Sequence, residues 1–187
     1  MSKTDPELET PETRFPWRKL LLGVGGLAVL VGLAAFGRWF FTCPCDFTPG
    51  SVLWGEVVEE QVTDWRFAND VELCQIQVSA PVLPHAVNLN CMSTSEGDVL
   101  YFSCSNCEPK RWSTLVARNP DARVRLDGRV YPISVVRVTD PAEADRSWVA
   151  RLAKLENSTV PGSGTPVSTP RPPDEQWWTF RGLSRAD

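Results

Sequence analysis

The chain has 187 residues, of which 42% are hydrophobic and 22% are charged, and its formal net charge is −4. This composition excludes a largely disordered chain and a membrane protein with many spans. The negative charge gives no general basis for binding nucleic acid, so we predict no nucleic-acid partner. The length accommodates one modest domain with appendages.

The first feature in chain order is an apolar segment over residues 20–37 that contains no charged residue. As a helix with a rise of about 1.5 Å per residue it would span about 27 Å, close to the hydrocarbon thickness of a bilayer. Trp17 before it and Trp39 after it fit the aromatic belts at membrane interfaces. We predict one uncleaved transmembrane anchor over residues 20–37, preceded by a cytoplasmic tail over residues 1–19. Its partner is the lipid bilayer.

Basic residues are distributed unevenly about this segment. Arg14, Arg18 and Lys19 precede it, whereas only Arg38 follows it closely. The positive-inside rule therefore places the N-terminus in the cytoplasm and the rest of the chain outside. This predicts a single-pass protein of a bacterial inner membrane with a periplasmic or extracellular domain. The margin of three bases to one leaves the reverse orientation open.

Residues 38–50 form a predicted linker, and residues 51–187 form a predicted, mainly β domain. Alternating or β-branched patterns predict strands over residues 51–62, 71–79, 86–93, 98–103, 122–126, 129–138 and 176–183. Asp127-Gly128 is a strong signal for a two-residue hairpin. Helices are predicted over residues 110–119 and 141–155, and a Pro/Ser-rich loop over residues 158–175. Six or more strands with two short helices indicate a small antiparallel barrel or sandwich.

The predicted domain contains five short motifs: PHAVN at residues 84–88, DVLYFS at 98–103, KRWS at 110–113, NPDARV at 119–124 and GRVYP at 128–132. In this order they resemble the split β-barrel flavin-binding superfamily, which includes pyridoxamine-phosphate-oxidase-like and deazaflavin-dependent nitroreductase-like proteins. The resemblance implies a divergent member with a small antiparallel split β-barrel. It also implies FMN or a deazaflavin as cofactor, oxidoreductase activity on a small molecule, and a homodimer.

The same resemblance implies that Lys110, Arg111 and Ser113 hold the phosphate of the cofactor. A helix N-terminus favours an anion there, although a solvated helix start is the simpler interpretation of two bases. Asn88 and Ser103 are implied to line the adjoining strands. No catalytic residue is assigned. His85, the single histidine, would be a general base only if it faces a pocket.

The chain has six cysteines, in a pair near the membrane, a C-x-x-C pair and two single positions: Cys43 and Cys45, Cys104 and Cys107, and Cys74 and Cys91. In an exported domain an even number favours disulfides, whose connectivity the sequence leaves open. The C-x-x-C pair could be a local disulfide or a redox dithiol. Together with the first pair it could supply four zinc ligands, although we predict no metal site.

Three functions therefore remain open. The first is a membrane-anchored flavin- or deazaflavin-dependent oxidoreductase. The second is a cofactor-free binding or assembly module, tethered to the membrane and stabilised by disulfides. The third is a periplasmic thiol-redox protein centred on Cys104 and Cys107. Cysteines at positions where relatives often carry Thr, Ser or Gly leave a loss of the cofactor open.

Overall fold

A computed structural model describes residues 17–45, 47–156 and 170–186, and it divides the chain into two compact units, residues 1–37 and residues 38–187. Most of the predicted tail and most of the predicted Pro/Ser-rich loop lie outside the described residues. Helix α1 (Trp17–Thr42) contains the predicted anchor and continues through the first residues of the predicted linker. It is long and apolar enough to cross a membrane, and no residue of this described helix is buried.

The second unit is mainly β. Its strands are β1 (Glu56–Val57), β2 (Cys74–Val78), β3 (His85–Ser93), β4 (Leu100–Ser105), β5 (Asp121–Leu126), β6 (Arg129–Arg137) and β7 (Trp177–Ser184). The two predicted short helices are α2 (Arg111–Arg118) and α3 (Pro141–Glu156), and a short 3-10 helix covers Arg66–Asn69. The predicted elements from residue 71 onward all form, with ends that shift by a few residues.

Strands β2 to β7 form a closed antiparallel barrel in the order β2-β3-β4-β7-β6-β5. Two sets of strand pairings close the barrel: β5 pairs with β2, and β7 pairs with both β4 and β6. The mainly β fold and the small split β-barrel predicted from the motifs are confirmed. The turn between β5 and β6 is the predicted Asp-Gly hairpin, in which Asp127 has φ 47° and Gly128 has φ 78°.

The barrel interior is filled by the alternate side chains that the pleat of each strand turns inward. Ile76, Phe102 and Phe180 are among the largest fully or almost fully buried side chains of this core. Trp112 of α2 packs on Phe180 with ring centroids 4.8 Å apart. Helix α3 packs elsewhere, where its Ala144 joins a second buried cluster with residues of β3 and β4.

The predicted strand over residues 51–62 is wrong, because only the two residues of β1 form a strand there, parallel to β6. Residues 43–45 and 47–58 instead lie along the outer surface of the barrel, and we call these residues the strap. Its backbone bonds partly to side chains of the barrel: Leu53 N–H donates to Gln77 Oε1 at 2.6 Å. The carbonyl of Trp54 accepts from Arg125 Nη1 at 2.9 Å.

Gly182 offers a test of barrel closure, because it lies opposite Leu100 of β4 on one side and Val135 of β6 on the other. A Cβ there would lie 2.9 Å from a ring carbon of buried Phe102. We expect Gly182→Val to lower the free energy of unfolding by about 2 kcal/mol or more, because overpacking displaces core side chains. Guanidinium unfolding of the full chain in detergent measures this.

The matched control places the same side chain one residue further along β7, at the exposed Leu183. Leu183→Val should change the free energy of unfolding by less than about 0.5 kcal/mol. Equal unfolding midpoints for the two variants would contradict the close packing at Gly182.

Candidate functional site

A cleft of about 430 Å³ lies where the loop of residues 79–84 meets the start of α2. Its lining is largely apolar: Trp39, Thr48, Pro49, Gly50, Val82, Leu83, Pro84, His85 and Arg111. The volume lies within the range of about 300–1,000 Å³ that small-molecule sites occupy. Arg111 and His85 are its ionisable groups. The cleft is therefore an apolar slot with a cationic side, which suits a partly apolar anion.

The cationic side comes from the N-terminus of α2. The disulfide between Cys104 and Cys107 closes the preceding loop, and Lys110 N–H donates to Cys107 O at 3.0 Å to begin the helix. Lys110 is the N-cap residue, yet its side chain makes no capping hydrogen bond, and the first turn has no acid. The positive end of the helix dipole therefore carries two bases, Lys110 and Arg111, where an acid would be favoured. Such an end attracts an external anion.

Ser113, the third residue of the predicted phosphate site, has a different environment. Its side chain is buried, and its hydroxyl lies 2.8 Å from Cys107 O and 2.7 Å from Lys110 O, both of which are acceptors. Ser113 therefore closes the turn beneath the start of α2. Its contribution to an anion site is to hold the backbone in position, while Lys110 and Arg111 are exposed.

His85 begins β3 and lines the cleft beside Arg111. Burial, and in second place the positive charge of Arg111, lower the pKa of His85 from its ordinary value of about 6.5. The imidazole is therefore neutral near pH 7 and has both a donor and an acceptor nitrogen. A neutral imidazole in a half-buried position can bond a polar group of a ligand.

The two remaining predicted site residues lie elsewhere on the barrel. Asn88 lines a second cavity of about 530 Å³, and its Oδ1 accepts from Gln75 Nε2 at 3.1 Å. Arg125 also lines that cavity and donates from Nε to Gln75 Oε1 at 2.5 Å. Sequence patterns gave no signal for Arg125, because its role depends on pairing between β5 and β2.

Ser103 is buried on β4, opposite Thr179 of β7, whose hydroxyl lies 3.2 Å from Ser147 of α3. The Ser103 hydroxyl has no hydrogen-bond partner among the described residues. Of the predicted set, only Arg111 lines the cleft, together with the weaker candidate His85. Sequence reasoning missed Trp39 and the loop of residues 79–84 as parts of a site. The one signal for this loop in the sequence is its uncharged run of Pro, Val and Leu.

Four of the six cysteines form two local disulfides. Disulfides link Cys43 with Cys45 and Cys104 with Cys107, which leaves none of these four thiolates for zinc. No group of three or more candidate ligands that could hold a metal occurs in residues 17–45, 47–156 and 170–186. Cys104 and Cys107 are 3% and 1% exposed, which disfavours thiol exchange with a partner.

The two single cysteines, Cys74 and Cys91, are free thiols in the barrel interior. They lie on β2 and β3, which are paired strands. Burial raises the pKa of the Cys74 thiol well above its ordinary value. Cys74 is therefore protonated near pH 7, and its Sγ lies 3.4 Å from Leu89 O.

The single histidine makes the electrostatic interaction between His85 and Arg111 directly testable. The pKa of His85, followed by NMR of a ¹³C-labelled imidazole in the full chain, should lie below about 6.5. Arg111→Ala removes a repelling positive charge, so the pKa should rise but stay below that value, because burial remains. Arg118→Ala removes an exposed base from the last turn of the same helix and should leave the pKa unchanged. An equal response to both substitutions would contradict the cleft geometry.

Comparison with known proteins gives remote structural likenesses. No protein-family model matches the chain, and no curated protein matches it. It is similar to a candidate pyridoxamine 5'-phosphate oxidase from Listeria innocua, with 14% identity, 63% of this chain and 87% of that chain covered, and a TM-score of 0.42. An FAD-binding protein from Mesorhizobium loti gives 16% identity, 62% and 81% coverage, and a TM-score of 0.41.

A pyridoxamine 5'-phosphate oxidase-related, FMN-binding protein from Nostoc punctiforme gives 13% identity, 63% and 71% coverage, and a TM-score of 0.38. These identities and scores are low, so the likenesses carry no inference about function.

Proposed function

We propose that the chain is a membrane-anchored flavin-binding barrel that takes part in oxidation or reduction of a small molecule. The observation that carries the proposal is the position of Arg111. Its side chain lines a largely apolar cleft at a helix N-terminus that has no capping side chain and no acid in its first turn. An aromatic ring system with a phosphate at one end matches both the apolar wall and the cationic side.

The residues present fit FMN in chemistry. Arg111 and Lys110 would hold the phosphate, since charged donors make the stronger hydrogen bonds to phosphate oxygens. Trp39 and Pro84 supply apolar surface, and His85 supplies a neutral donor and acceptor. A bound flavin supplies hydride transfer, and the protein supplies binding, orientation and electrostatics. A deazaflavin with a phosphate would meet the same cationic end.

The anchor and the compartment belong to the same proposal. The large apolar side chains of α1 are exposed, which favours burial in lipid over exposure to water. Arg18 and Lys19 precede the apolar segment, which supports a cytoplasmic N-terminus. The disulfide between Cys104 and Cys107 supports an oxidising compartment for the barrel. We therefore propose the outer face of a bacterial inner membrane, and we retain the homodimer as a prediction for sedimentation analysis.

Titration of the full chain in detergent with FMN and with riboflavin tests the cleft. The wild-type chain should bind FMN more tightly than riboflavin, because riboflavin lacks the phosphate. Lys110→Ala combined with Arg111→Ala should weaken FMN binding at least about tenfold, since hydrogen bonds to charged groups contribute about 1.5–3 kcal/mol each. Flavin fluorescence and the visible absorption spectrum measure both affinities.

The control, Arg118→Ala, removes a base from the far end of α2 and should leave both affinities unchanged. The double variant should bind riboflavin as the wild type does, because the missing charges face only the phosphate. A chain that purifies without colour and binds neither flavin nor deazaflavin would refute the proposal. It would leave the cofactor-free membrane-tethered binding module.

A further inference from the structure

Two exposed apolar groups adjoin the last turn of α1. The first is Phe41 with Trp54, whose ring centroids lie 5.3 Å apart. The second is Val82 and Leu83, which line the cleft together with Trp39. We call these four residues, Phe41, Trp54, Val82 and Leu83, the exit patch. Val82 is 90% exposed, and its loop over residues 79–84 contains no charged side chain.

Chain continuity places this patch near the end of the apolar segment. Trp39 is only two residues after Gly37, and consecutive Cα atoms are about 3.8 Å apart. Trp39 therefore lies within about 8 Å of the end of the predicted span, whatever the direction of the chain. The residues that share a cleft or a ring contact with residues 39–41 are consequently close to the headgroup region.

Hydrogen bonds fix this arrangement. Trp39 Nε1 donates to Pro49 O at 2.7 Å, and the neighbouring Gly50 exchanges backbone hydrogen bonds of 2.8 and 3.0 Å with Ala86 of β3. The strap thus ties the last turn of α1 to the barrel instead of serving as a free linker. The exit patch is held beside residues 39–41 and is not free to move away on a tether.

The chemistry of the patch suits the membrane interface. Exposed apolar side chains grouped around one helical turn are unfavourable in water and mark interaction surfaces. Trp and other amphipathic aromatic residues are enriched at the headgroup level. Arg38 directly precedes Trp39 in the chain, and Arg111 lines the cleft together with Val82 and Leu83. Both arginine side chains are exposed, and their positive charges complement anionic headgroups.

We propose that the exit patch inserts into the interfacial layer of the same bilayer that holds α1, so that the cleft opens at the membrane surface. This inference rests on the anchor in the proposed function but not on flavin binding. The barrel then has a second, peripheral membrane contact, made by the loop of residues 79–84 and the aromatic pair.

Photocrosslinking in lipid nanodiscs tests the contact with the full chain. The photoreactive residue p-benzoyl-phenylalanine is placed at Val82, and in a separate variant at Val149, an α3 valine that is 63% exposed and lies outside the patch. After irradiation, intact-protein mass spectrometry should show a lipid adduct at position 82 and at least tenfold less at position 149. A third variant at Leu83 repeats the test within the patch.

The outcomes separate the proposals. Strong adducts at positions 82 and 83 with little at position 149 support insertion of the patch. Copurification with nanodiscs but no adduct at positions 82 and 83, or equal adducts at all three, overturns insertion and leaves the anchor intact. Failure to copurify with nanodiscs overturns the anchor itself. None of these results depends on whether the chain binds FMN.

Discussion

The pairing of β7 on both of its edges is the constraint on which the rest of the molecule depends. β7 bonds to β4 and to β6, so the sheet closes and its six barrel strands leave no unpaired edge between them. Closure buries Phe102 and Phe180 in the packed interior of the barrel. The cleft lies outside this core, where the start of α2 meets the strap and the loop of residues 79–84.

The cationic side of the cleft follows from how α2 covers this interior. Trp112, the second residue of the helix, is buried against Phe180 and fixes the rotation of the helix about its axis. With Trp112 turned inward, the preceding Lys110 and Arg111 remain outside at the positive end of the helix. Ser113, one residue further, is also turned inward and ties the helix start to the disulfide loop. Packing of the core thus decides which of the predicted phosphate ligands face solvent.

Local patterns were sufficient to predict most of the barrel. The alternation over residues 71–79 predicted the strand that forms as β2, and Asp127-Gly128 predicted the hairpin that joins β5 to β6. They failed for residues 51–62, since that segment bonds to Gln77 and Arg125, which lie far away in sequence. The candidate site was predictable only in part for the same reason. A helix-start pattern identifies Arg111, but no local rule places Trp39 and His85 beside it.

The last turn of α1 and the cleft belong to the same compact unit, residues 38–187. Trp39 belongs to the last turn of α1, yet it lines the cleft and bonds to the strap through Pro49. A shortened chain that begins at Cys43 would keep the whole barrel and lose one wall of the cleft. Ligand binding by such a fragment would therefore report on a different site from that of the full chain. A test of ligand binding therefore needs the full chain, because Trp39 at the end of α1 supplies apolar surface to the cleft.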